Sequence, residues 1–328
     1  MRDFLASILE KISEKLRGKR PKNHSLEEQT KVEKTSYRHK RLSKKSAVKG
    51  ISPYQRSLRD FAEMMENPFL ALSKNRRNPI AYESPDGTRK IKVTRHTGHF
   101  LASIYDWDII IFVESKIQEI FNSGSDIPPR TIVFPRHEIL KYLHRHDGKK
   151  QHKDLENSLH RLKRTAIDTT IRNEDGRYKA DFGFIDSWEY TERKDKKEIR
   201  ITLSQWLYDG ICTQGVLLKV APAYFDLTSA LKRFLYRTAR KHVGNNEEEW
   251  GFSIEKLYEK SGSEQEFKKF KSDLKFAVKD NNIPEYSMEW IEKKGKTLVV
   301  FKRSKIHEID KLVENFEENK KIIINSIN

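Results

Sequence analysis

The chain has 328 residues, 65 Lys and Arg against 48 Asp and Glu, a net charge of +17, and 36% hydrophobic residues. At roughly 150 residues per domain the length allows about two domains with some chain to spare, and the cation excess directs the protein toward polyanions. The single Cys212 excludes a disulfide framework and a cysteine-based zinc finger. With no membrane-length apolar run and no signal-peptide pattern, a cytoplasmic protein with no membrane partner is expected.

Residues 1–50 hold 15 Lys and Arg against 6 Asp and Glu. Within 1–17, Phe4, Leu5, Ile8, Ile12 and Leu16 recur at helical spacing, which predicts an amphipathic helix. Residues 18–60 read as a disordered basic linker, because they carry too little apolar surface to offset the entropy lost on ordering.

Strong patterning begins near Pro68. Ile80–Ser84 and Lys90–His96 are predicted strands around the turn Pro85-Asp86-Gly87. A helix follows from Asp106, which is placed to cap it, to about Phe121. Then come a strand at Thr131–Phe134, a helix to Leu143, and a second helix over about Lys149–Arg164. Strand-like runs at Ala166–Arg172, Lys179–Tyr190 and Glu198–Leu203 close the first unit. The order then repeats: helix Thr228–Val243, strand Trp250–Phe252, helix Ser253–Lys260, helix from about Ser263 to Asp280, and a hairpin of Tyr286–Ile291 with Thr297–Arg303. The predicted class is α+β, with two tandem winged-helix domains at 68–210 and 211–304, after the disordered basic tail. A helical C-terminal tail is expected at 305–328.

An offset of 115 residues carries the stripe Leu155, Leu159, Leu162 onto Phe270, Leu274, Ala277. Each stripe lies on one helix face. The opposite face of the first helix presents Lys150, Lys153, Asn157, His160, Arg161 and Arg164. The second presents Gln265, Lys268, Ser272, Lys275, Phe276 and Lys279. Neither set contains an acid, and Phe276 fits such a face poorly, so packing is its alternative. Lys and Arg neutralise phosphates. Arg pairs with guanine, and Asn or Gln with adenine, in the major groove. Both faces are therefore candidate double-stranded DNA readers, with Asn157 and Arg161 the expected base contacts. Hairpin cations Arg172, Arg177, Lys293, Lys294 and Lys296 extend the set. Arg233, Arg237 and Arg240 form a third stripe, either phosphate-positioning or an ordinary solvated face.

Enzyme signatures are weak. No P-loop motif occurs. His144-Arg145-His146 has arginine where a nicking enzyme's histidine pair needs a hydrophobic residue. Asp106-Trp107-Asp108 places its carboxylates on different sides of a helix, which favours capping and core roles over a primase metal pair. His137, His144, His146, His152 and His160 are dense, but they flank the proposed DNA-facing helix and read as surface or DNA histidines.

Further runs carry a family resemblance: Phe69-Leu70-Ala71-Leu72-Ser73-Lys74, Asn78-Pro79-Ile80-Ala81-Tyr82, Ile104-Tyr105-Asp106-Trp107-Asp108-Ile109-Ile110-Ile111, Leu159-His160-Arg161-Leu162-Lys163-Arg164-Thr165, Trp206-Leu207-Tyr208-Asp209-Gly210-Ile211, Arg233-Phe234-Leu235-Tyr236-Arg237-Thr238-Ala239-Arg240-Lys241-His242, Trp250-Gly251-Phe252-Ser253 and Lys260-Ser261-Gly262-Ser263. Over roughly residues 68–300 the chain resembles the plasmid replication initiator protein A family. The resemblance implies tandem winged helices that bind repeated origin sites, help open the origin, and recruit a host initiator and helicase, as monomer or homodimer. It implies no catalytic residue, and the residues themselves lead to the expectation of no cofactor and no metal. The family's usual alanine between the two aspartates is Trp107 here, which points to altered packing. A winged-helix transcriptional repressor remains the alternative, autorepression could combine the two roles, and a nickase or primase is the rival from another class.

Overall fold

The computed structural model describes residues 58–304, apart from 123–128, 173–179, 194–195, 213–216, 244–247 and 294. The expected helix at 1–17, most of the linker and the tail at 305–328 lie outside the described residues. The end of that linker does not. Leu58 and Asp60 are fully buried, and β1 (Arg59–Phe61) pairs antiparallel with β9 (Leu217–Lys219). A strand at a linker's end was illegible because its partner lies some 160 residues away, and three residues carry no periodicity.

After β1 comes the short helix α1 (Ala62–Glu66), then β2 (Ile80–Glu83) and β3 (Lys90–Arg95), which pair around Gly87. Helix α2 (Trp107–Asn122) follows, then β4 (Thr131–Pro135), α3 (Arg136–Tyr142), α4 (Lys149–Arg164), β5 (Thr165–Thr169), β6 (Ala180–Phe182), β7 (Ile185–Arg193), β8 (Lys196–Leu203) and α5 (Gln205–Cys212). Beyond β9 and a 3₁₀ turn at Pro222–Asp226 come α6 (Ala230–His242), β10 (Glu249–Ser253), α7 (Ile254–Ser261), α8 (Phe267–Asp280), β11 (Tyr286–Lys293) and β12 (Lys296–Arg303).

The run predicted as one strand over 179–190 is two strands in two sheets. β6 joins the sheet β2-β3-β5-β6, and β7 joins β4-β8-β7. The break falls at Gly183, where a Cβ would stand 3.2 Å from the Lys163 carbonyl oxygen, and at the buried Phe184. The hairpin after α4 is therefore β7–β8. The second unit has the sheet β10-β12-β11. Both sheets thus place the strand before the helix pair beside the last strand of the hairpin. Helix, strand, helix, helix and hairpin occur twice in one chain, with one sheet order.

The described residues all fall within one compact body, and the apolar core runs without interruption from Leu58 to Phe301. The expected boundary at 210/211 is not a gap in packing. Helix α2 is buried on every side around Ile109–Val113, because β1, α3, β4 and α5 all touch it; a helix that is apolar all round belongs in such a centre. Helix α6 packs on α1 and α8, joining the two units.

Candidate nucleic-acid interface

Helix α4 buries Leu155, Leu159 and Leu162 and exposes Lys150, Lys153, Asn157, His160 and Arg164. Asp154 and Glu156 are exposed too and, by helical periodicity, flank this face at its two edges. The His160 ring stands edge-on to Trp188 of β7, centroids 5.0 Å apart, which ties the helix front to the hairpin. The first turn carries Lys149 and Lys150 and no acid. Cations there oppose the helix dipole, and an anion would relieve them.

Arg161 departs from the expectation. Its side chain is only 17% exposed. Nε and Nη2 donate to the two carboxylate oxygens of Asp106 at 2.8 and 2.7 Å, and Nη2 also reaches Ser158 Oγ at 3.2 Å. A guanidinium held in this bidentate fork cannot also read guanine, so Arg161 leaves the set of base contacts. Asp106 is likewise not a conventional helix cap. Its Oδ2 accepts from Ser103 N and Oγ, both at 2.8 Å, and not from the first amides of α2.

Helix α8 buries Phe270, Leu274 and Ala277 and exposes Lys268, Ser272, Lys275 and Lys279. It starts four residues later than predicted. Gly262 takes the left-handed conformation (φ +57°) that ends α7, and Ser261 and Ser263 side chains capture the amides of Ser263 and Gln265. Gln265 thus precedes the helix, and its amide folds back onto Asp273 Oδ2 at 3.3 Å. Lys275 sits 5.7 Å from the Trp290 ring of β11. Phe276 does not pack: it is 72% exposed.

The third stripe is a correction. Arg233 and Arg237 are 4% and 2% exposed and cannot touch phosphate. Arg233 pairs with Asp108, donates from Nε to the Leu227 carbonyl at 2.7 Å, and lies between the Tyr105 and Tyr224 rings at 4.9 and 5.0 Å. Arg145 reaches the other oxygen of Asp108 at 3.0 Å. Arg237 pairs with Asp60 at 3.1 Å, and Asp60 also accepts from Trp107 Nε1 at 2.8 Å. Arg240 is half-buried and donates to Tyr286 Oη at 3.2 Å. Burial pushes the Asp60 and Asp108 carboxyls up, against the pull of Arg237 on the first and of Arg233 and Arg145 on the second. Each member of the run Tyr105 to Asp108 is engaged: Tyr105 Oη donates to the Thr228 carbonyl at 2.7 Å, Asp106 holds Arg161, Trp107 is buried against Phe184, and Asp108 holds two arginines. The sequence signal for this joint was the aspartates themselves, set in apolar runs where an unpaired charge is not tolerated.

The hairpin expectation also moves. Arg172 pairs with Glu63 at 2.8 Å and stacks on Trp206 at 3.9 Å, and Arg177 lies outside the described residues. The β7–β8 hairpin offers exposed Lys197 and Arg200, paired with Glu192 and Glu189 at 2.8 and 3.6 Å. In the second hairpin Lys296 is exposed near its tip, where Gly295 takes φ +73°. The side chains of Lys293 and Lys294 lie outside the described residues. Among the described residues no three His, Cys, Asp or Glu converge as a metal site, and no helix is long and apolar enough to cross a membrane.

A two-part α+β chain presenting one basic helix from each part defines the class of molecule, and comparison with known proteins narrows it. The model of the family "Replication initiator protein A" matches residues 59–288. A protein of Wigglesworthia glossinidia brevipalpis, named "Putative replication protein", is 33% identical over 239 residues, covering 71% of this chain and 85% of that protein. The solved structure of domains 2 and 3 of RctB is similar in fold, with a TM-score of 0.54 at 14% identity, covering 74% of this chain and 98% of that one. This chain belongs to the replication initiator protein A family.

Proposed function

We propose that the chain is a non-enzymatic plasmid replication initiator that binds repeated double-stranded DNA sites in the cytoplasm. In this reading each unit is a winged helix. Helices α4 and α8 enter the major groove, and the hairpins β7–β8 and β11–β12 are the wings. The observation that carries the reading is the doubled sheet order with a lysine-bearing helix facing outward from each copy. The amended contact set is Lys150, Lys153, Asn157, His160 and Arg164 on α4, with Lys268, Ser272, Lys275 and Lys279 on α8. Bound on successive turns, the protein would help open the origin and recruit a host initiator and helicase, and it would repress its own gene where a site overlaps the promoter.

Two reading helices on one chain fit successive major grooves about 10–10.5 bp apart. A single chain should therefore protect about two helical turns, with two contact blocks of different sequence. Protection mapping on plasmid DNA joined to a mass measurement of the complex tests this. A directly repeated, non-palindromic site bound by one chain is the expected result. A strictly palindromic site bound only by two chains overturns the tandem model, and a lone palindrome over a promoter would favour a repressor.

A further inference from the structure

The offset that relates the two outward helices places Phe276 where the first unit has Arg161. By element order, Ser229, which caps α6, stands where Asp106 precedes α2. In the first unit the acid draws the arginine inward. In the second a serine stands in place of that acid, and the start of α6 and the side of α8 border an open cleft of about 620 Å³ with Phe276 on its rim. Phe270, one and two-thirds turns earlier, is buried and packs edge-on to Tyr258 at 5.1 Å. Phe276 is instead the most exposed of the large apolar side chains described.

An aromatic ring left in water forgoes about 1.5–3 kcal/mol of burial, so its position asks for a partner. The surroundings choose among partners. Ser272 and Asp273 lie about one turn before the ring, Lys279 and Asp280 about one turn after it, with Lys275 adjacent. The aspartates are paired with Lys269 and Lys232, which leaves Lys275 and Lys279 as the exposed cations beside the ring. Two exposed lysines beside the ring suit the phosphate-lined walls of a groove and disfavour an apolar protein helix. The charges around the cleft are already paired, Arg76 with Glu264 at 4.0 Å, Lys269 with Asp273 at 2.7 Å and Lys232 with Asp280, so they select no peptide. In the major groove the apolar feature of the base edges is the C5 methyl of thymine.

Resting on the DNA reading above, we infer that Phe276 is a specificity residue that packs on a thymine methyl in the second contact block. Ser272, small and one turn away, leaves room for the base edge beside the ring. The second unit therefore selects a T·A pair by apolar contact where the first has Arg161 turned away.

The test is a uridine scan with the full chain, on the site found by protection mapping. Replacing thymine by deoxyuridine removes only the methyl group. The wild-type protein should lose about fourfold in affinity at one thymine of the second block, the worth of one buried methyl-sized group. Phe276→Ala should bind the thymine site more weakly and show no further loss with uridine there, while Phe276→Leu should keep part of the preference. Unchanged thermal unfolding of both variants separates recognition from folding. If wild type and Phe276→Ala respond alike at every thymine, the inference is overturned. If Phe276→Ala binds DNA as wild type does but fails in replication, the ring is a protein contact and the inference is again overturned. A wild-type chain that selects no DNA site sinks the DNA reading itself, a result distinct from selective binding without a uridine effect.

Discussion

In the first unit the outward helix α4 turns one of its cations, Arg161, back onto Asp106, while in the second the equivalent position of α8 points Phe276 into solvent. Both helices hang on the same kind of stripe, Leu155, Leu159 and Leu162 against Phe270, Leu274 and Ala277. The stripes fix which side faces out, and the residue standing before each unit's first helix decides what the outer edge does. Where that residue is Asp106, an arginine becomes structural. Where it is Ser229, the side chain caps its own helix by accepting from the Lys232 amide, and the outer edge stays available. A second difference follows from Asp108, whose counterpart by element order is the apolar Leu231. The first unit thus supplies the acid, and Arg233 of the second unit inserts to meet it. Two copies of one topology have become unequal, one contributing the anchor and the other the open face.

The largest expected effect comes from removing that anchor. Asp108→Ala leaves the buried Arg233 guanidinium without its carboxylate and should lower unfolding stability by about 3–5 kcal/mol, read from urea midpoints. A loss below about 1 kcal/mol would show that the two units are held together by the apolar core alone. Next, Arg161→Ala strips Asp106 of two charged hydrogen bonds and should cost about 1.5–3 kcal/mol. Its counterpart Phe276→Ala should stay within about 0.5 kcal/mol of wild type. Equal costs at the two positions would erase the distinction between a structural and an available edge.

Binding sharpens the comparison further. Asn157→Ala should lose about 1–3 kcal/mol of affinity for the cognate site and little for unrelated DNA. Lys279→Ala should weaken all sequences alike and flatten the salt dependence by about one unit. Filter binding over a salt series distinguishes the two, and normal cognate binding by Asn157→Ala would remove α4 from base reading.

The effect that is smallest at neutral pH concerns His242. His242 packs on Trp250 and Phe252, with ring centroids 5.5 and 4.9 Å away. Burial, reinforced by the Lys260 ammonium, holds its imidazole at about 4, below the ordinary 6.5. The unfolded chain therefore takes up this proton first as pH falls. Stability is unaffected by His242 above about 6.5 and declines as pH drops from there to about 4. Comparing His242→Gln with wild type across that window isolates the contribution, which should vanish in the variant. A wild-type decline no steeper than the variant's would show that this histidine is hydrated.

The sequence by itself determined the local elements and their order. The stripes of α4 and α8, the start of α7 at Ser253, whose side chain accepts from the Lys256 amide, and the turns at Gly87 and Gly295 depend on residues a few positions apart, and periodicity and capping patterns report such contacts directly. It also determined the family, because Tyr105 to Asp108 and the run around Arg233 stand in fixed order along the chain. What it left open were pairings between residues far apart in sequence. Arg233, Arg237 and Arg161 sit at spacings that look like a solvated basic face, and only folding brings Asp108, Asp60 and Asp106 against them. The split of 179–190 into two sheets and the entry of β1 were decided the same way, by partners that chain spacing does not reveal. A charge at the surface and a charge in a buried pair have the same letter. The tertiary structure distinguishes them, because desolvation is tolerated only where an opposite charge already waits.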